Sequence, residues 1–239
     1  MFVPLHDGVP LRFMRTPYVT YGLIGVCIAA QLVLRFWPGE EGALAIMAGF
    51  GMIPSVLFGT AQLPEGLAHL PAWLTLFSNV LLHANIAHLV GNMLFLWVFG
   101  DNVEDAMGHI RFILFYFLCA IGGGLAHVMV EPGSDVALIG ASGSVAGVIA
   151  AYLLLHPRVK IWVLLLFRIP IRLRTVWVLG FWILLQVYNF AFGAPGEISW
   201  AAHLGGLLMG TLLVLFFRRP GVPLLARQVD EEMPVDPVV

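Results

Sequence analysis

Apolar residues fill long stretches of this chain with no polar face. They lack both the one-sided stripe of a soluble amphipathic helix and the alternation of a half-buried strand. Runs of about 17–25 apolar residues are long enough to cross a bilayer as helices. Six stretches qualify, at about 17–36, 83–100, 110–130, 137–156, 175–192 and 199–217. The pattern predicts an all-α membrane protein, a six-helix bundle over 17–219, preceded by a tail (1–16) and followed by another (220–239). The first tail holds Asp7, Arg12, Arg15, Pro4, Gly8 and Pro10 without the apolar core of a signal peptide. The first span is therefore expected to stay in the mature protein. The second tail carries four prolines and the cluster Asp230-Glu231-Glu232, a composition that predicts disorder.

Two segments break the simple count. Between Glu41 and Glu65 lie 23 residues without a charge, long enough for a seventh span, but Gly42, Gly49, Gly51, Pro54 and Gly59 interrupt them. We read 37–82 as one large first loop, partly embedded in protein or membrane, since irregular backbone is tolerated at depth only where protein covers it. Ile161 to Phe167 is apolar, too short to span and bracketed by basic residues, which predicts an interfacial segment.

Composition and charge sharpen this picture. Hydrophobic residues make up 60% of the 239 and charged ones 11%, with a mean hydropathy of +0.92. A soluble domain carries about 25% charged residues. A net charge of −2 excludes a strongly basic nucleic-acid binder. If the N-terminus is cytoplasmic, eleven of the twelve basic residues fall inside, from Arg12 and Arg15 through Arg111, the Arg158–Arg174 cluster and Arg218, Arg219 and Arg227; Arg35 alone faces out. This is the positive-inside asymmetry. It predicts cytoplasmic termini and places the starts of spans two, four and six on the outer face. Cys27 and Cys119 both lie in apolar spans and read as small buried hydrophobes.

Polar side chains inside a bilayer are costly and mark function or helix packing. Ser142 lies in Gly140-Ala141-Ser142-Gly143, seven residues beyond Asp135, and His203 lies six beyond Glu197. At 1.5 Å per helical residue both would sit roughly 10 Å below the last charge. Helix packing alone could account for each. Gly143 and Gly147 form one small-residue pair, and Gly206 and Gly210 follow His203 as another. The chemical reading is that bared helix N–H groups near Ser142 face developing negative charge. Close approach of spans four and six would bring a general base to a serine nucleophile.

A third group opens the second span: His83, His88 and Asn92. His88 and Asn92, four apart, share one helix face and supply donors suited to an oxyanion. A metal site is the competing reading for two histidines, but the His-Glu-x-x-His of zinc proteases is missing. His83 is placed nearer the aqueous end, where it would orient loop groups, and His127 is left unassigned. An aspartyl protease would need two aspartates within spans, and none falls inside the six ranges.

Together these motifs, over about residues 70–212, resemble the rhomboid family of intramembrane serine proteases. The likeness rests on Gly-x-Ser-Gly at Gly140–Gly143, on His88 and Asn92, and on Ala202-His203 with Gly206 and Gly210. The resemblance implies a rhomboid-like six-helix core with a water-filled cavity. Ser142 would be the nucleophile and His203 the base of a dyad. Asn92, His88 and the Ser142 N–H would form the oxyanion hole, with neither metal nor cofactor required. Residues 66–82 would correspond to the family's membrane-embedded hairpin, and the fifth span with 193–199 to its gate and cap. The implied partners are transmembrane protein substrates and the lipid bilayer of a plasma membrane. Nucleic acid is not among them, and nothing bears on oligomeric state. Gly100 and Glu104 match a supporting element. Two positions depart from the pattern: Trp73 is followed by Leu74 where many members have arginine, and Ala146 stands where some members stack a tyrosine on the histidine. Two other readings are an inactive rhomboid-like protein that binds membrane clients, and a polytopic transporter or channel.

Overall fold

The computed structural model describes residues 2–36, 39–166, 168–193, 196 and 198–226. The long apolar runs become helices because a bilayer leaves backbone polar groups no partner outside the segment. The elements in order are β1 (Phe2–His6), α1 (Tyr18–Phe36), α2 (Gly39–Phe50), α3 (Pro54–Leu57), α4 (Thr75–Ser78), flanked by short 3₁₀ turns, α5 (Ile86–Met107), α6 (His109–Val130), α7 (Ser142–Leu155), β2 (Lys160–Leu165), β3 (Ile169–Arg174), α8 (Thr175–Phe192) and α9 (Trp200–Phe217). Among the described residues five helices, α1, α5, α6, α8 and α9, are long and apolar enough to cross a membrane. Together with α7 they occupy the six expected ranges.

The fourth expected span differs in a way that shapes the site. It was expected over 137–156, yet α7 begins only at Ser142 and has 14 residues. At 1.5 Å per residue that is about 21 Å, well short of a hydrocarbon core of about 30 Å. Gly143 through Tyr152 are buried without a break, so α7 is the central helix, enclosed by its neighbours. The helical rise from Asp135 that placed Ser142 near 10 Å depth therefore does not apply, because residues 136–141 are not helical. The matching marker for His203, Glu197, lies outside the described residues.

Those non-helical residues are held by the first loop. Met52 and Leu138 exchange backbone hydrogen bonds of 3.0 and 2.8 Å, and Ser55 N–H donates to the Ser134 carbonyl at 3.1 Å. The Ser55 hydroxyl donates to Asp135 at 2.7 Å, and Gly140 N–H reaches the Asn79 carbonyl at 2.9 Å. The uncharged stretch from 42 to 64 is accordingly no seventh span. It forms α2, α3 and a loop that clamps the approach to Ser142.

The opposite end of the bundle carries the polar residues that the expected ranges did not include. Helix α5 runs seven residues past its expected end at 100, taking Asp101, Glu104 and Asp105 into the helix. The inventory of span carboxylates is thus corrected, and Glu104 and Asp105 have structural work. Buried Glu104 accepts hydrogen bonds from Val19 N–H (3.0 Å), Thr20 N–H (2.7 Å) and the Thr20 hydroxyl (2.6 Å), capping the first turn of α1. Gly100 makes room for this contact, since a β-carbon there would meet Thr20 Cγ2 at 3.1 Å. Asp105 accepts from Arg12 and Phe13 N–H at 2.9 and 2.8 Å. Buried Asp7 accepts from the Tyr152 hydroxyl and Asn102 Nδ2, both at 2.8 Å. The leading residues are therefore docked on the bundle.

They also complete a sheet. Residues 161–167, expected as an interfacial segment, fall mostly in strand β2, which pairs antiparallel with β1 on one side and β3 on the other. Phe167 lies outside the described residues. Of the tail expected to be disordered from 220, residues up to 226 are docked, with Leu225 N–H on the Leu154 carbonyl at 2.7 Å. Residues 227–239 lie outside the described residues.

Candidate functional site

The site is assembled from the N-terminal ends of α5, α7 and α9. Asn85 caps α5, its side chain accepting from His88 N–H at 2.9 Å. That cap fixes where the helix starts and puts His88 and Asn92 on successive turns of one face. His83 lies just before the helix, fully buried, its ring 5.2 Å from that of His88 and nearly perpendicular to it. Its side chain is enclosed by protein, in edge-on contact with His88.

Gly140 brings the α5 residues to Ser142. Its φ of +123° is a conformation side chains rarely adopt, and a β-carbon there would lie 2.6 Å from His88 Cε1, 2.8 Å from its Nε2 and 3.8 Å from Asn92 Nδ2. Only glycine lets the imidazole and the amide lie against the segment entering α7. Ser142 is the first residue of α7, and the residue before it makes no side-chain cap. The N–H groups of the first turn thus lack intrahelical acceptors, at the positive end of the helix dipole. Asn92 Nδ2 is buried and has no hydrogen-bond partner among the described residues.

Helices α7 and α9 touch through backbone. A β-carbon at Gly206 would overlap the Gly143 carbonyl oxygen and come within 3.1 Å of Gly143 Cα; one at Gly210 would collide with Gly147 in the same way. A β-carbon at Gly143 would in turn lie 3.4 Å from the Ala202 carbonyl oxygen. Ser142 and His203 are the neighbours of this Gly143–Ala202 contact, so their side chains leave the backbone at one level. Among the described residues no hydrogen bond joins Ser142 Oγ to the His203 ring.

Three residues around His203 had not been singled out in the sequence. His203 Nδ1 is 2.8 Å from Oε1 of Gln186 on α8. Trp182 stacks on the imidazole at 6.3 Å and 25°, and Trp200 meets it edge-on at 5.7 Å. The ring is packed by tryptophans from α8 and α9. Gln186 carried a usable signal, one of two side-chain amides (with Asn189) in the otherwise largely apolar fifth span. The unassigned His127 also finds a partner: its Nδ1 is 2.9 Å from the hydroxyl of Ser199, which caps α9 by accepting from Ala202 N–H at 3.1 Å. Residues 194, 195 and 197 of the expected cap lie outside the described residues. Trp73, the departure noted in the first loop, is largely exposed.

Comparison with known proteins decides the family. The Rhomboid domain model matches residues 71–220, more than half of the chain. The chain belongs to the rhomboid family. Among its relatives, Rhomboid protease GluP of Bacillus subtilis is 34% identical over 197 residues, 81% of this chain and 34% of that protein. Rhomboid protein 1, mitochondrial, of Saccharomyces cerevisiae is 31% identical over 176 residues, 65% of this chain and 48% of the relative. Rhomboid-like protein 11, chloroplastic, of Arabidopsis thaliana is 30% identical over 156 residues, 60% of this chain and 52% of the relative. The alignments span about half of these relatives or less. The matched region of this rhomboid begins in the first loop, and so takes in α5, α7 and α9 together with the residues of the candidate site.

Proposed function

We propose that this rhomboid is an intramembrane serine endopeptidase that cuts peptide bonds in or near the transmembrane segments of other membrane proteins. The observation that carries the reading is the backbone contact of α7 with α9, in which Gly143 and Ala202, the chain neighbours of Ser142 and His203, meet, while Gly140 lies against His88 and Asn92. In the reaction His203 accepts the Ser142 proton as Oγ attacks the scissile carbonyl. The resulting oxyanion is received by Asn92 Nδ2, His88 and the Ser142 N–H. His203 then gives its proton to the leaving amine, and water releases the acyl-enzyme by the same steps in reverse order. The unpaired amide of Asn92 supports this assignment. A buried donor without a partner costs about 1–3 kcal/mol, a cost that makes sense where charge develops during turnover.

The positive-inside pattern supports cytoplasmic termini, a site opening to the outer face and, as the reading for a chain of this kind, a plasma membrane. Substrate helices would enter from the bilayer and unwind locally at the scissile bond. The test is cleavage of a model transmembrane substrate by purified protein in detergent, with fluorophosphonate labelling of Ser142. Both are expected for the wild type and lost in Ser142→Ala, and cleavage is also lost in His203→Ala. Cleavage that persists equally in both variants refutes the dyad. A wild type that neither cleaves nor labels points instead to a client-binding rhomboid.

A further inference from the structure

We infer that Gln186 is a positioning residue that holds His203 in the one neutral tautomer able to act as a base, an inference that rests on the protease reading above. Helix α8 is loosely attached. Its buried residues are Thr175, Val178 and Leu179 at one end and Gln186 alone in its last two turns. Gln186 is only 4% exposed, and an amide buried at that depth must satisfy both its ends or carry a desolvation cost.

The hydrogen-bond chain assigns every proton. Gln186 Nε2 lies 3.1 Å from the Trp182 carbonyl oxygen one turn earlier, and its Oε1 lies 2.8 Å from His203 Nδ1. A backbone carbonyl can only accept, so the amide NH₂ must point at it, and the opposite end of the amide is then the carbonyl. That oxygen can only accept in turn, so His203 Nδ1 carries the hydrogen. A neutral imidazole protonated at Nδ1 presents its lone pair at Nε2. This lone pair is what removal of a proton from Ser142 requires. The assignment follows from a backbone carbonyl whose role cannot be reversed. Trp182 contributes twice, orienting the amide through its carbonyl and packing the imidazole with its ring. Without the acceptor at Nδ1, imidazole is free to carry its proton on Nε2, where it cannot accept one.

Uniform ¹⁵N labelling of histidine reports the tautomer directly, with the His203 resonances assigned by their loss in His203→Gln. The wild type should show the Nδ1–H form. Gln186→Leu, which removes the acceptor at similar size, should populate the Nε2–H form and lower kcat about 10²-fold with KM little changed, within the range of general-base contributions. Gln186→Glu keeps an acceptor oxygen opposite Nδ1 and should retain the Nδ1–H form and most of the activity. A Gln186→Leu protein that elutes as a folded monodisperse species yet keeps the Nδ1–H signature and wild-type kcat overturns the inference. So does a Gln186→Glu protein that loses the tautomer as Gln186→Leu does. The two proposals separate cleanly. A tautomer that follows position 186 in a wild type that does not cleave leaves the positioning intact and refutes the protease. An active wild type inactivated by Ser142→Ala, whose tautomer ignores position 186, does the reverse.

Discussion

Gly206→Ala tests whether close helix approach is what makes the site. The added methyl would overlap the Gly143 carbonyl oxygen and lie 2.7 Å from its carbonyl carbon and 3.1 Å from its Cα. Carbon atoms sit comfortably at about 3.5–4.0 Å, so α9 must retreat from α7 by about 1 Å at the level of Ser142 and His203. Overpacking of this kind costs about 1–3 kcal/mol. Alanine regains up to about 1 kcal/mol of helix propensity over glycine, so the net loss of stability is modest. Catalysis is less forgiving, because a displacement of about 1 Å between reacting groups costs about 10²-fold. The expected signature is a kcat about two orders of magnitude below wild type in proteoliposomes, beside a small fall in thermal unfolding temperature. Gly180→Ala on α8 is the control: nothing lies within 4 Å of its β-position, so activity should hold and stability should rise slightly. Wild-type turnover in Gly206→Ala, or an equal loss in Gly180→Ala, would refute the reasoning.

Further outcomes follow from single groups. Asn92→Ala should lower kcat about 10²–10³-fold, as loss of one oxyanion donor does, with little change in unfolding temperature because its Nδ2 bonds no protein group; a large drop in stability would instead make Asn92 structural. Gly140→Ala forces a side chain into φ +123° and against the His88 ring. It should cost about 1–3 kcal/mol and abolish cleavage, whereas full activity would show that His88 need not lie there. Two groups at the opposite end predict pH slopes of opposite sign. Burial pushes the Asp7 carboxyl above its ordinary value despite the Tyr152 and Val9 hydrogen bonds, so its contribution is present at low pH and lost as pH rises through the raised value. Stability should therefore fall as pH rises from about 4 through the raised value, and Asp7→Asn, which does not titrate, should remove that slope. Burial, with the Arg12 guanidinium adding to it, pushes His156 down from 6.5 to about 4. Its contribution is present above 6.5 and lost as pH falls toward 4, and His156→Gln should remove that loss, at most about 3 kcal/mol. Unfolding scans from pH 4 to 8 check both, and slopes of the same sign would contradict them.

Hydropathy by itself determined most of the architecture, because the bilayer is a second solvent that dictates a helix wherever an apolar run is long enough. The ranges of α1, α6, α8 and α9 could be read to within a residue or two, and the glycines at 143, 147, 206 and 210 marked the faces that meet. The residues of the site were visible as polar outliers in an apolar background, since a histidine or serine at that depth must pair, pack or react to offset its desolvation. Partners were not visible. Segment-by-segment patterning says nothing about which distant group a side chain will meet, and so β1 pairing with β2 more than 150 residues later, or Asp7 joining Tyr152, had no local signal. The same holds for Gln186 and His203, or His127 and Ser199, each identifiable as polar but paired only by the packing of separate helices. The start of α7 was misjudged for a related reason. Residues 137–141 are as apolar as a helix, yet Met52 and Asn79 in the first loop take their backbone hydrogen bonds. Composition places a residue in the membrane, but competition for hydrogen bonds decides where the helix begins, and that competition put Ser142 at its first turn.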